Sequence, residues 1–445
     1  MTPPARLLRA LGLGDAMLLV IGCIVGVGIF RTPGTIAAHV SSPALILMLW
    51  LIGGLLSLCG GLCYAELAAM FPKTGGDYVY ITRIYGTFWG FVFGWTKLFV
   101  ERTGTIAILG VVFAEYLGGV LGYGATTLRW MATGAILLLT AVNVRGVRWG
   151  AATQNILTVL KIGALGAIIV VGLSAHRGQA GAWTAPMLPL SQPSTWQALG
   201  VSLVFVLWTY GGWTEAAYVA EELRNPQRDI PRAMIGGLLL TTTLYLAVNA
   251  IYLWYVPLQT MATTKLVAST MMQQAVGRLG AVGISAMIAC SAFGALNGYI
   301  LTGARILYAL GRDHALFAKL GGLHPRFQTP SLALWLNAAV AALLIWTKTF
   351  DQIAIYSTVV ISVFFLLTVV GVIILRRTQP KTPRPYRTWG YPVTPLLYTL
   401  VILAFIADVC VKQPTEALFG FGLMALAIPL YALSRALASP AQKAG

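Results

Sequence analysis

Residues 43–65 run without one charged side chain, and apolar runs of similar length recur along most of the chain. This feature fixes the solvent before it fixes the fold. A helix crosses the roughly 30 Å hydrocarbon core of a bilayer with about 20 apolar residues. Inside that core every backbone N–H and C=O must be paired within the protein, which leaves only helices and closed barrels. Barrel strands read as alternation over about 10 residues, and the runs here are long and do not alternate. Composition agrees. Of 445 residues, 58% are hydrophobic and 10% charged, against about 45–50% and about 25% in soluble chains. The chain is therefore expected to be an all-α membrane protein.

Twelve transmembrane helices are expected, at about 14–38, 43–70, 88–117, 127–144, 149–174, 197–221, 232–256, 280–310, 331–347, 352–375, 392–411 and 415–436. An even number puts both termini on one side. Twenty of the thirty Lys and Arg residues lie in the two tails and in alternate loops. The densest of these loops is 376–391, with Arg376, Arg377, Lys381, Arg384 and Arg387. The opposite face has seven, namely Arg31, Arg129, Arg177, Lys265, Arg278, Lys348 and Lys412, and Lys97, Arg102 and Lys161 lie inside spans. The positive-inside rule then makes both termini cytoplasmic in a multi-pass protein of the cell (inner) membrane. The same distribution removes nucleic acid as the reason for the net charge of +17. Arg6 and Arg9 precede an apolar stretch too long and glycine-rich for a cleaved signal, so it reads as a retained first span. Residues 257–279 follow Pro257 and hold Met261, Leu266, Val267, Met271, Met272 and Val276, a pattern expected of a short amphipathic helix on the outer side.

Two spans carry concentrated helix breakers near their middles. The first reads Ile24-Val25-Gly26-Val27-Gly28-Ile29-Phe30, with Pro33 and Gly34 following; the sixth reads Trp208-Thr209-Tyr210-Gly211-Gly212-Trp213. Irregular backbone at membrane depth must line a cavity or be buried in protein. Positions one and six correspond if the chain contains two repeats of five helices, and an odd repeat inserts the second copy upside down. A 5+5 inverted repeat is expected, with residues 14–174 and 197–375 as its halves. Around them lie tails at 1–13 and 437–445, the basic loop 376–391, and two further helices within 392–436. Paired interrupted spans are the best sequence pointer to a transporter's binding site.

The chemistry of such breaks is specific. The half-helix after the first break starts with free N–H groups around Val27, Gly28 and Ile29, which suit a carboxylate at a helix N-terminus. The half-helix before the sixth break ends in free carbonyls around Trp208 and Thr209, which suit an ammonium. Together they fit the zwitterionic part of an α-amino acid. Gly26, Gly28, Gly211 and Gly212 let a ligand approach the backbone.

At this point the chain resembles the amino acid–polyamine–organocation transporters, in particular bacterial relatives of the L-type amino acid exchangers. The resemblance rests on Gly26-Val27-Gly28-Ile29-Phe30, Tyr64-Ala65-Glu66-Leu67, Phe71-Pro72-Lys73-Thr74-Gly75-Gly76-Asp77-Tyr78-Val79-Tyr80 and Gly94-Trp95. It continues through Tyr210-Gly211-Gly212-Trp213, Glu221-Glu222-Leu223-Arg224-Asn225-Pro226, Asn297-Gly298 and Arg384-Pro385-Tyr386. It implies alternating access to a site between helices one and six, amino acid substrates, and exchange or proton coupling. It also implies that Lys161, in span five, takes the place of a sodium ion between the first break and span eight, where Ser291 is its candidate partner. Transport is then sodium-independent. Two positions depart from the family pattern. Val27 stands where many relatives have a small polar residue, and Trp208 stands where the aromatic gate is often Phe. Animal L-type exchangers link to a heavy chain through a cysteine after span three; residues 118–126 contain none, so no disulfide-linked heavy chain is expected.

Charges inside a membrane are costly and are paired or functional. Lys97 and Glu101 stand four residues apart in span three and can neutralise one another. Alternatively Glu101, or Glu215 just after the sixth break, faces the substrate and selects a cationic side chain, which would make the protein a polyamine or cationic amino acid exchanger. Glu66 is expected to anchor span two near the cytoplasmic loop. A channel is disfavoured because no repeated filter or ring of like charge is present. An enzyme is disfavoured because His39, His176, His314 and His324 sit in loops or span ends with no motif around them. Cys23, Cys59, Cys63, Cys290 and Cys410 lie in apolar stretches, without metal or disulfide spacing. No metal and no cofactor are expected.

Overall fold

The computed structural model describes residues 7–174, 192–264, 267–347 and 350–437. Arg6, His176, Arg177, Lys265, Leu266, Lys348 and the 438–445 tail lie outside these. The described residues form helices and turns, with no strand among them and a single isolated bridge, Leu11 to Leu223.

The first expected span is two helices, α1 (Leu13–Ile24) and α2 (Gly28–Ala37). Then come α3 (Pro43–Met70), the short α4 (Asp77–Tyr85), and a helical run 87–121 made of α5 (Thr87–Thr96), a π-helical turn (Lys97–Arg102) and α6 (Thr103–Leu121). Next are α7 (Ala125–Val144), α8 (Val147–Ser174), and the sixth span as α9 (Pro193–Thr209) and α10 (Glu215–Tyr218). The second half continues with α11 (Pro226–Tyr255), α12 (Leu258–Thr263), α13 (Val267–Val276), α14 (Arg278–Asp313), α15 (Ser331–Thr347) and α16 (Phe350–Thr378). After the basic loop follow α17 (Val393–Lys412), α18 (Pro414–Ala425) and α19 (Ala427–Leu437).

Local chemistry sets many of these boundaries. Pro43, Pro193, Pro226 and Pro414 sit in the first turn of α3, α9, α11 and α18, where the missing N–H has no intrahelical partner to lose. Gly122 closes α6 in the left-handed conformation, φ 71°.

Nine helices among the described residues are long and apolar enough to cross a membrane by length and composition. The chain is a multi-pass membrane protein. Three of the expected spans are not in that set, for separable reasons. The run 87–121 is interrupted by the charged π-turn; the sixth stops as an α-helix at Thr209; α15 has 17 residues. The segment after Pro257 forms two short helices, α12 and α13, rather than one. Met261, Val267, Ala268 and Met271 are its buried side chains, so the apolar face is present but divided near Thr264.

Helices α3, α11 and α1 pack side by side, with α14 against α6 and α8. At the end of α3 the Glu66 carboxylate accepts from Arg376 (Nη2, 2.6 Å) and from the Thr388 N–H and hydroxyl (both 2.8 Å), and forms an ion pair with Arg384 (Nε at 3.2 Å). Glu66 thus pins the 376–391 loop to α3. All five cysteines are free; Cys23 and Cys63 are buried, Cys59 and Cys410 are half-buried, and Cys290 is exposed although it lies in an apolar stretch.

Candidate functional site

The two breaks form and meet. Helix α1 ends at Ile24; Val25 leaves helical geometry at ψ 79°, and α2 restarts at Gly28. The N–H groups of Val27, Gly28 and Ile29 have no hydrogen-bond partner among the described residues. Helix α9 ends at Thr209, and residues 210–214 turn before α10. Gly212 takes φ +111°, and a Cβ there would lie 2.7 Å from the Cys23 carbonyl carbon. Only glycine fits both the dihedral and the gap. Gly28 lies against Thr209, where a Cβ would come within 2.6 Å of its methyl. The hydroxyls of Thr32 and Thr209 are hydrogen-bonded at 2.9 Å. The breaks are therefore in backbone contact, with α2 restarting directly beside the end of α9.

Tyr245, mid-way along α11, ties the breaks together. Its hydroxyl donates to the Ile24 carbonyl at 2.9 Å and faces the Thr209 carbonyl at 3.4 Å. These are the last carbonyls of the two half-helices, groups that helix ends leave without partners. Its ring meets Trp50 edge-on (5.4 Å) and Tyr210 (5.2 Å), and Tyr210 donates its hydroxyl to the Trp50 carbonyl. All three rings are fully buried. The Trp208 carbonyl accepts from Gly211 N–H at 3.0 Å. The carbonyls expected to be free are thus partly engaged, each with a lone pair to spare.

Span five lies along α1 through one helical stripe. Asn155 donates to Asp15 (2.6 Å), Thr158 to the Leu18 carbonyl (3.1 Å) and Lys161 to the Gly22 carbonyl (2.6 Å). The spacing of three keeps these residues on one face. Lys161 is 1% exposed, so it does not snorkel to an interface. Gly294 of α14 makes room for it, since a Cβ there would sit 2.8 Å from its Cε. Ser291, also on α14, points its hydroxyl at the Val25 and Gly26 carbonyls, at 3.2 and 3.4 Å. Lys161 and Ser291 both hold the first break, yet no hydrogen bond joins them to each other among the described residues. They grip separate carbonyls of the first span instead, Gly22 for Lys161 and Val25 and Gly26 for Ser291.

The charges of span three gather on a π-turn. An α-helix keeps 97 and 101 on one face and turns 102 away from it, whereas the wider π-turn brings 102 round beside them. Thr103 bonds back to the Leu98 carbonyl at 2.7 Å, and Ser357 of α16 donates to Val100 at 2.8 Å. Such side chains satisfy carbonyls that a π-bulge frees. Lys97 pairs with Glu101 at 2.9 Å. Arg102 reaches across to Glu215 on α10 (Nη1–Oε2 3.1 Å), and Thr302 of α14 hydrogen-bonds the same carboxylate. Arg102 is further sandwiched between the rings of Tyr218 and Tyr299, at 5.2 and 4.9 Å. A buried pair of this kind is weak evidence for stability, but removing one partner strands a charge.

Residues 26–29 and 209–212 therefore cluster with Lys161 and Ser291 beside them, and Glu215 lies under the cluster in an ion pair. One predicted residue stands apart from it, Glu101, which is turned to Lys97. Trp208, next to Thr209 at the end of α9, is 41% exposed. Tyr245 and Thr32 were missed, as was the pairing of Glu215 with Arg102; a hydroxyl-bearing ring in mid-span was the one available signal. Among the described residues no group of three or more His, Cys, Asp or Glu side chains is placed to hold a metal.

Comparison with known proteins bears on this geometry. Residues 11–431 match the family described as amino acid permease. The chain is 33% identical over 392 residues to the serine/threonine exchanger SteT of Bacillus subtilis, covering 87% of this chain and 88% of that protein. It is 30% identical over 415 residues to the human b(0,+)-type amino acid transporter 1, covering 92% and 84%. To the human large neutral amino acids transporter small subunit 2 it is 30% identical over 432 residues, covering 96% and 80%. With matches that run nearly end to end, the chain belongs to the amino acid permease family of the amino acid–polyamine–organocation superfamily, whose members are membrane transporters and not enzymes.

Proposed function

We propose that this protein is a sodium-independent secondary transporter of amino acids working by alternating access, as an exchanger or with protons. The observation that carries the reading is the contact of the two breaks. Unpartnered N–H groups at Val27, Gly28 and Ile29 start a half-helix that lies beside the end of α9, where Gly28 and Thr32 meet Thr209; with the Trp208 and Thr209 carbonyls they suit the carboxylate and ammonium of one α-amino acid. Gly26, Tyr210, Gly211 and Gly212 shape the backbone around it, and Trp208 is the gate. Lys161, with Ser291, holds the first break where a sodium ion would otherwise sit.

The reading includes twelve spans, two inverted five-helix halves at 14–174 and 197–375, the 376–391 loop and two added helices within 392–436. Both termini are cytoplasmic, in the cell (inner) membrane. No disulfide-linked heavy chain is part of it, because residues 118–126 offer no cysteine. The polyamine or cationic amino acid alternative needs a free carboxylate near the substrate. Lys97 holds Glu101, and Arg102 with Thr302 holds Glu215, so a neutral substrate fits better. The test is competition against a labelled neutral amino acid in proteoliposomes. Inhibition by neutral amino acids and not by putrescine or arginine is expected; selective inhibition by the cations would reverse the assignment.

A further inference from the structure

A cavity lies away from the breaks, at the basic end of the molecule. It is an open recess of about 360 Å³ between the start of α11 and the 376–391 loop, lined by Pro231, Arg232, Ile235, Gly236, Tyr386 and Trp389. Three properties of its lining point to one ligand class.

First, its cation is unused. Arg232 is exposed and has no hydrogen bond or ion pair among the described residues. Arg228, one turn earlier, and Arg377, Lys381 and Arg387 on the loop are exposed as well. The acids nearby are already engaged or shut away. Asp229 is buried, and Glu66 is held by Arg376 and Arg384. Between residues 224–236 and 376–391 no exposed acid offsets these cations. Second, the rest of the lining is largely apolar, with Pro231, Ile235, Tyr386 and Trp389 around the one guanidinium, so a fully hydrated anion gains little there. Third, the cavity opens beside an apolar groove. Trp389 is 66% exposed at its rim, the position favoured by tryptophan at a membrane interface. Helices α11 and α17 both pack on α3. Helix geometry places the exposed Leu51 and Leu55 on the α3 face between them. Gly54 meets Thr242 of α11 on one side of that face, and Glu66 grips the loop on the other. Exposed Leu239 and Leu240 on α11, and Leu396 and Leu400 on α17, wall the groove.

We propose that this cavity is a binding site for an anionic glycerophospholipid. The phosphate pairs with Arg232, and the acyl chains lie in the groove over Leu51 and Leu55. A zwitterionic headgroup brings its own cation to the same phosphate and is disfavoured by the surrounding arginines. Basic pockets between spanning helices recognise anionic headgroups by this chemistry. A free phosphate lacks the apolar half of the interaction.

The test is thermal denaturation of the full-length protein in detergent with dioleoylphosphatidylglycerol, dioleoylphosphatidylcholine or inorganic phosphate added. Phosphatidylglycerol in about 100-fold excess over its half-saturating concentration raises the Tm by about 3 °C or more. The other two shift it by less than about 1 °C. Arg232→Gln removes most of the phosphatidylglycerol shift. Trp389→Ala, at the exposed rim of the cavity, raises the half-saturating lipid concentration about fivefold and decides the matter if the arginine variant does not fold. Equal shifts from both lipids, or the full shift from phosphate alone, would overturn the assignment. So would an unchanged lipid titration in Trp389→Ala.

Discussion

Replacing Tyr245 with Phe isolates one oxygen at the place where the two breaks meet. The ring contacts with Trp50 and Tyr210, at 5.4 and 5.2 Å, survive the change. What disappears is the donor to the Ile24 carbonyl at 2.9 Å and its weaker approach to Thr209 at 3.4 Å. A buried hydrogen bond is worth about 0.5–1.5 kcal/mol net, and a stranded acceptor costs about 1–3 kcal/mol. Ile24 keeps a second donor, the Gly26 N–H at 2.8 Å, so the lower part of these ranges applies. A loss of about 1.4 kcal/mol is tenfold in affinity. Because the hydroxyl fixes the relative position of the half-helices, the loss falls on substrate binding. The assay is counterflow of a labelled neutral amino acid in proteoliposomes, with Tm measured on the same preparation. KM is expected to rise about tenfold while Tm moves by no more than about 3 °C. An unchanged KM, or a fall in Tm large enough to account for lost activity, would refute the clasp.

Three further outcomes follow from the same geometry. Lys161→Ala empties the position between α1 and α14 and frees the Gly22 carbonyl; transport is expected to fall at least about tenfold, and full activity would remove Lys161 from the mechanism. Gly212→Ala forces a side chain into φ +111° and within 2.7 Å of the Cys23 backbone, a cost of about 1–2 kcal/mol from the dihedral alone; a variant with wild-type KM and Tm would show that the breaks do not touch. Asp77, at the start of α4 in the connection between spans, is pushed up to about 6 by burial, with the Lys97 charge and the Tyr218 hydrogen bond pulling it back. A carboxyl raised in the folded state favours that state while protonated and loses the advantage as pH rises through about 6. Tm is therefore expected to fall between pH 5 and pH 8, and Asp77→Asn to flatten part of that fall; an identical pH profile in the variant would contradict the assignment.

The breaks were legible because glycine carries its own conformational signal. Gly26, Gly28, Gly211 and Gly212 stand in apolar runs where few other residues interrupt the helix. Proline in the first turn marks the starts of α3, α9 and α11, but apolarity alone set the expected starts, so α9 and α11 begin at 193 and 226 rather than at 197 and 232. Lys161 was legible because a charge in such a run has no neutral explanation. What escaped is non-local. Nothing in the α11 run distinguishes Tyr245 from Tyr252 until α1 and α9 are folded against it. The Lys97–Glu101 pair followed from spacing in one helix, whereas the Arg102–Glu215 pair joins residues 113 positions apart. The π-turn at 97–102 was invisible because periodicity is read at 3.6 residues per turn, and one extra residue per turn leaves no mark in so short a stretch. The split of the 257–279 segment into α12 and α13 likewise follows from docking on separate neighbours, α2 and α14.

The account stands on one claim: the paired breaks hold the common part of an α-amino acid, with Lys161 in place of a metal ion. The direct measurement is uptake of a panel of labelled amino acids into proteoliposomes preloaded with unlabelled amino acid, with sodium or with choline outside. The account predicts uptake of one or more neutral amino acids, equal in sodium and choline, and abolished when the competing compound lacks either the α-carboxylate or the α-amino group. No uptake across the whole panel, or uptake that requires sodium, would contradict it.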